Sequence, residues 1–230
     1  MKPSIRALIF DSGNTLLRIN YAAIADQLAL HGIRKSHEAV AQAEYRARVR
    51  LDPHLAPGRS TESRSVAGSY FRYVLEELGV TDPGTVRAVA EWRKEYNLPV
   101  GLWHVPDPEA ETALRLARNA GCVAGVISNS NGSVRSILEK TGLAAHLHFI
   151  LDSAVVGVEK PDPRIFLMGL AEARVEPCEA VYIGDLYSVD VLGALAAGMA
   201  AVLLDPGGVW GERDCPVAPT LPEAVRLALG

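Results

Sequence analysis

Ile5-Arg-Ala-Leu-Ile-Phe10 runs directly into Asp11-Ser-Gly-Asn-Thr15 near the start of this 230-residue chain. A short, nearly continuous apolar run followed at once by polar and turn-forming residues reads as a buried strand that ends at a loop. Four further runs of this kind occur downstream: Cys122 to Ile127, Phe149 to Leu151, Ala180 to Ile183 and Ala201 to Leu204. Helical patterns lie between them at Ser133 to Lys140, Pro163 to Ala173 and Ser188 to Ala197, each long enough for one crossover. Strands without alternation, separated by helices, predict a Rossmann-like α/β core in which helices cover both faces of a parallel sheet.

The first run stands about 110 residues ahead of the second, far more than one crossover needs. The intervening chain reads as four helices: Ala22 to Leu30 ending at Gly32, His37 to Leu51 after a Ser36 cap, Glu62 to Leu78 ended by Gly79, and Pro83 to Tyr96. Leu98 to Pro106 carries the Pro and Gly of a hinge. The helix after it takes Asp107 as N-cap and Pro108 at its first position, and closes at Gly121. The expected organisation is therefore a core of residues 1–17 and 101–230 with a helical cap at 18–100. Asp205 to Pro219 reads as a loop.

Composition narrows the function classes. Half the residues are apolar (49%) and the net charge is −4, with no massed Lys/Arg tract, so neither nucleic acid nor a membrane surface is expected as partner. The N-terminal apolar run is too short for a signal peptide, and nothing approaches the ~20 apolar residues of a membrane span. Cys122, Cys178 and Cys215 are odd in number and far apart, which argues against a disulfide framework or zinc site and for reducing cytoplasm. The six histidines show no ligand spacing. Residues 18 to 72 hold nine Lys or Arg against five Asp or Glu, which reads either as a solvated helix face or as attraction for an anionic substrate. The sequence leaves open which cap cation, if any, reaches that substrate, and does not specify an oligomeric state.

In an open parallel sheet, ligands collect at the carboxyl ends of the strands. The polar residues fall there: Asp11 to Thr15, Ser128-Asn129, Lys160-Pro-Asp162, and Gly184-Asp185 with Asp190 following. Singly, each reads as a cap, a turn former or a surface charge. Three carboxylates in one crevice repel one another unless they share a cation, and oxygen-only ligation suits magnesium. The Ser128 hydroxyl, the helix N-terminus after it and the Lys160 ammonium favour a phosphate-like anion beside that metal. No Ser or Cys has a paired base at recognisable spacing, which leaves Asp11 as the nucleophile.

Ile-Phe-Asp11-x-x-x-Thr15-Leu, Ile-Ser128-Asn129, Lys160-Pro-Asp-Pro and Ile-Gly-Asp185-x-x-x-x-Asp190 together resemble the four ordered motifs of the haloacid dehalogenase superfamily, over essentially the whole chain. The resemblance implies a magnesium-dependent hydrolase acting on a small anionic substrate. Asp11 would be the nucleophile, Lys160 the charge neutraliser, and Thr15, Ser128 and Asn129 the substrate-binding groups. Asp11, the Gly13 carbonyl, Asp185 and Asp190 would surround the metal, with Asp190 acting directly or through water.

One position departs from the pattern. Family phosphatases place a second aspartate two residues after the nucleophile, where it protonates the leaving group and then activates water; here that position is Gly13. A missing general acid or base costs ~100- to 10,000-fold, so alkyl phosphates are expected to be poor substrates. Asn14 cannot replace it, because an amide supplies no proton at neutral pH. Three readings follow: a phosphohydrolase for esters whose leaving groups depart unprotonated, such as aryl or acyl phosphates; a phosphonate or haloacid hydrolase of the same fold; or a non-catalytic ligand-binding protein.

Overall fold

The computed structural model describes residues 4–55, 63–96 and 101–230. Along the chain, β1 (Ala7–Phe10) is followed by β2 (Leu17–Ile19), α1 (Tyr21–Ala29), α2 (His37–Leu51), α3 (Arg64–Glu77) and α4 (Pro83–Tyr96). Then come β3 (Trp103–Pro106), α5 (Ala110–Asn119), β4 (Val123–Ser128), α6 (Val134–Lys140), β5 (Phe149–Asp152), α7 (Ser153–Val156) and α8 (Pro163–Ala173). The chain ends with β6 (Ala180–Gly184), α9 (Leu192–Ala196), β7 (Ala200–Leu204), β8 (Val217–Ala218) and α10 (Leu221–Leu229).

Six strands form a parallel sheet in the order β5-β4-β1-β6-β7-β8. All four residues of β1 are fully buried, which is why its sequence shows no alternation. Leu8 and Phe10 pack toward α5, α6 and α10, whereas Ala7 and Ile9 pack toward α8 and α9. Because β1 sits between β4 and β6, with Ala7 facing both Val123 and Ala180, the ends of these three strands open on one crevice.

Helices α1 to α4 enclose their own apolar cluster, built on Ile24, Leu28, Val40, Phe71, Val74 and Leu75. Its reach extends to Leu102 and to Val189 beside β6, so the insertion is packed onto the sheet's carboxyl edge. The four helices match the periodic reading, apart from Glu62, which lies outside the described residues.

Several elements differ from expectation. The stretch read as a hinge contains β3, which pairs antiparallel with β2 to form a two-stranded ribbon. The Asp205 to Pro219 loop contains β8, a two-residue edge strand too short to show periodicity. Asp107 does not cap α5, which starts at Ala110; its carboxylate instead accepts from the Glu109 N–H at 2.8 Å and from Arg18 Nε at 2.5 Å. The helix expected over Ser188 to Ala197 divides into a π-helical turn, Tyr187–Val191, and α9. A carboxylate that bonds backward causes the break: Asp190 Oδ2 accepts from the N–H groups of Asp185 (3.0 Å) and Leu186 (2.9 Å). Among the described residues, no helix is long and apolar enough to cross a membrane.

Candidate active site

Asp11 follows β1, and its N–H is tied to Ile183 O on β6 at 2.8 Å. Asp185 follows β6, and the π-helical turn brings Asp190 back beside it. Gly184 permits that return, since a Cβ there would lie 2.5 Å from Asp190 Cγ. All three carboxylates are buried, each offering an oxygen within 4.8 Å of the others'.

Lys160 binds two of them. Its ammonium donates to Asp11 Oδ1 (2.5 Å), Asp190 Oδ1 (2.7 Å) and the Tyr182 hydroxyl (2.9 Å), and Tyr182 in turn donates to Ile127 O at 2.8 Å. The lysine is held by Asn129, whose amide accepts from Lys160 N–H (2.8 Å) and donates to Lys160 O (2.9 Å). Asn129 thus acts on Lys160, and Ser128 lines the cavity beside it. Thr15 is fully buried with its hydroxyl unpartnered among the described residues, beneath the cavity wall rather than on it. Gly13 lies on the wall, and so does Ser12, whose buried hydroxyl also lacks a partner.

Four contributors carried no motif signal. Arg48 of α2 is buried with Nη1 3.1 Å from Asp185 Oδ2, and Glu44 one turn earlier holds the guanidinium from both Nε (2.9 Å) and Nη2 (2.5 Å). Glu44 also accepts from Tyr70 OH at 2.7 Å. Arg48 thus brings a cation of the insertion against the carboxylates, while Arg93 and Lys94 of α4 line the same cavity; neither charge nor spacing distinguishes Arg48 in sequence from Arg46 or Arg50. Asp52, at the end of α2, accepts from Ser188 N–H (2.9 Å) and Oγ (2.8 Å) on the π-helical turn. Tyr182 is a hydroxyl inside an apolar run, a signal that could have been read. The fourth, Asp152 at the end of β5, accepts from the N–H groups of Gly132 (3.1 Å) and Val134 (3.4 Å), so it takes part of the helix-terminal donor set expected for phosphate.

Burial pushes Asp11 up to about 6, with the Asp190 charge adding to the rise and Lys160 opposing it. Burial likewise holds Asp185 well above the usual carboxylate range against the pull of Arg48. Lys160 is itself penalised by burial, yet Asp11 and Asp190 outweigh that penalty and keep the ammonium charged. Among the described residues, Asp11, Asp185, Asp190 and Glu44 form ion pairs with Lys160 and Arg48, so four carboxyl groups meet two cations, an excess of two negative charges when all are ionised. One divalent cation offsets that excess, and the clustered carboxylate oxygens suit magnesium.

The site opens into a cavity of about 990 Å³. Asp11, Lys160, Asp185 and Asp190 line it from the sheet side, while Leu51, Leu55, Val66 and Tyr70 from the insertion contribute apolar surface beside Arg93 and Lys94 of α4.

A family model for haloacid dehalogenase-like hydrolases matches residues 5–198. The chain is 34% identical over 207 residues to a haloacid dehalogenase-like hydrolase domain-containing protein 3 from Bos taurus, covering 87% of this chain and 82% of that one. It is 39% identical over 140 residues to a phosphoserine phosphatase of Thermus thermophilus, covering 60% and 53% of the two chains. It is also 28% identical over 209 residues to a ribulose-1,5-bisphosphate 5-phosphatase of Halopiger xanaduensis, covering 87% and 84%. Among solved structures, a dehalogenase with an intermediate complex superposes with a TM-score of 0.65 over the full length of both chains at 19% identity. A HAD phosphatase from Thermococcus onnurineus does so at 0.56 and 23% identity, with 97% of each chain covered. The structural likenesses show the fold; with the family match and the relative that covers most of the chain, they establish that this protein belongs to the haloacid dehalogenase-like hydrolases.

Proposed function

We propose that this hydrolase is a magnesium-dependent phosphohydrolase that works through an aspartyl-phosphate on Asp11. The observation that carries the reading is the convergence of Asp11, Asp185 and Asp190 on one another with Lys160 bridging two of them. Two relatives whose names specify phosphatases support phosphate as the transferred group. The helical insertion at 18–100 serves as the cap that encloses the substrate.

Asp11, Asp185, Asp190 and the Gly13 carbonyl would hold magnesium, Asp190 directly or through water. When bound, the metal supplies positive charge beside the phosphoryl oxygens. The chain's own groups do the rest. Lys160 neutralises a phosphoryl oxygen and holds Asp11 in place, and Ser128 offers a hydroxyl to another. An Asp11 oxygen attacks phosphorus, and the electron pair of the breaking ester bond leaves on the substrate oxygen. No side chain at position 13 delivers a proton to that oxygen, which limits efficient turnover to leaving groups stable as anions. Water then attacks phosphorus and Asp11 departs as the carboxylate; one of the water's protons stays on phosphate and the other passes to solvent.

The test is hydrolysis of 4-nitrophenyl phosphate with and without magnesium, using Asp11→Asn to control for contaminating phosphatases. Magnesium-dependent turnover lost in Asp11→Asn is expected. Turnover that survives in the variant, or none from the parent protein, removes the reading.

A further inference from the structure

The edge of the Trp103 indole lies in tight contact with the point at which a side chain at position 13 would begin. A Cβ built on Gly13 lies 3.3 Å from Trp103 Cδ1, 3.6 Å from Nε1 and 3.9 Å from Cγ. The ring is fixed there: its Nε1–H donates to Asn14 Oδ1 at 3.1 Å, and Asn14 holds the left-handed backbone (φ 53°) that turns its amide toward the ring. Asn14 Nδ2 reaches on to Tyr70 OH at 3.5 Å, and the Tyr70 ring lies 5.7 Å from the indole at a 30° tilt. Two aromatic rings thus line the cavity that Asp11 also lines, together with Leu51, Leu55 and Val66.

Resting on the phosphohydrolase reading, we infer that Trp103 and Tyr70 form a leaving-group subsite for a planar aromatic alcohol, and that Gly13 is the seat that lets Trp103 reach it. Two independent features agree. The cavity is much larger than a phosphate, and its insertion side carries Leu51, Leu55, Val66 and Tyr70 alongside Arg93 and Lys94, so the group carried on phosphorus meets a largely apolar, ring-lined wall. An aryl ester is also the class that the lost acid tolerates: when the Asp11 oxygen attacks phosphorus, the P–O electron pair departs on the aryloxide, which takes its proton from solvent afterwards. The glycine that removes the acid and the indole that replaces it therefore select the same substrate class.

Calorimetric titration of magnesium-loaded Asp11→Asn protein with 1-naphthyl phosphate, methyl phosphate and inorganic phosphate tests this without turnover. Naphthyl phosphate is expected to bind about tenfold more tightly than methyl phosphate. Adding Trp103→Leu should bring the two esters within about twofold, while Trp103→Phe keeps most of the preference. Equal binding of both esters in the Asp11→Asn protein overturns the subsite even if Trp103→Leu does not fold, and so does a preference unchanged by Trp103→Leu. If inorganic phosphate and both esters all fail to bind, the phosphate reading itself falls, and the subsite with it.

Discussion

Arg48 Nη1 stands 3.1 Å from Asp185 Oδ2, so a helix of the insertion supplies a buried cation to the carboxyl edge of the sheet. The arginine reaches Asp185 because Glu44 fixes its other donors. Removing one partner of such a buried group leaves the others charged and desolvated, at a cost of about 3–5 kcal/mol. Arg48→Ala should therefore lower stability by that order in urea denaturation. Arg48→Met combined with Glu44→Gln should recover much of the loss, because the second change removes the stranded carboxylate. A double variant as unstable as the single one would show that the guanidinium is not compensating Glu44. Arg48 also competes with any cation for Asp185, so the double variant should bind magnesium more tightly, read as a larger rise in melting temperature at a given magnesium concentration.

Gly13→Asp is the obvious attempt to restore a general acid, and the structure predicts that it fails alone. The new Cβ meets Trp103 at 3.3 Å, tighter than most real Cβ contacts, so the indole must give by a few tenths of an ångström before a carboxylate is seated there. The single variant should be destabilised by about 1–3 kcal/mol, as overpacked sites generally are, with little gain on alkyl phosphates. Pairing Gly13→Asp with Trp103→Ala frees the space. Hydrolysis of a methyl or glyceryl phosphate should then rise toward the ~100-fold or more that a positioned acid contributes. Equal activity in the single and double variants would show that Trp103 does not obstruct the position.

Arg48 and Trp103 mark where sequence reading stops. The sheet was legible because a strand covered on both faces must be apolar throughout, and the acidic cluster because Asp11 and Asp185 directly follow such strands, with Asp190 and Lys160 in the segments after them. Arg48 was not separable from its neighbours, since a charge on a helix shows nothing of which face packs against another element. Arg46 and Arg50, on the same helix, are spent on acids of α3. Trp103 was hidden differently. Its strand is four residues long, beside Pro and Gly, and pairs with a three-residue strand 84 positions earlier, a register that no local pattern encodes. The π-helical turn at Tyr187–Val191 was likewise invisible, because a helix-like spacing there is interrupted where the Asp190 carboxylate accepts from the preceding backbone N–H groups of Asp185 and Leu186.

The acids of α3 give a prediction in pH. Glu77 accepts from Arg46 Nε at 2.9 Å and Arg50 Nη1 at 2.8 Å, which ties α3 to α2. Partial burial acts to raise its carboxyl, but the two arginines together outweigh this and hold it below its ordinary value of 4.5. A carboxyl lowered in the folded state contributes stability above its unfolded value and loses it as pH falls through the folded one. The arginine side chains are 44% and 41% exposed, so solvent screens both pairs and the combined contribution should be about 1 kcal/mol or less. Melting curves of the parent protein and Glu77→Gln should differ by a constant small amount from about pH 6 to 8. They should converge as the pH drops below about 4 and lie closer at 1 M salt than at low ionic strength. A difference that persists unchanged at pH 3 would mean that Glu77 stabilises the helix pair by packing rather than by charge.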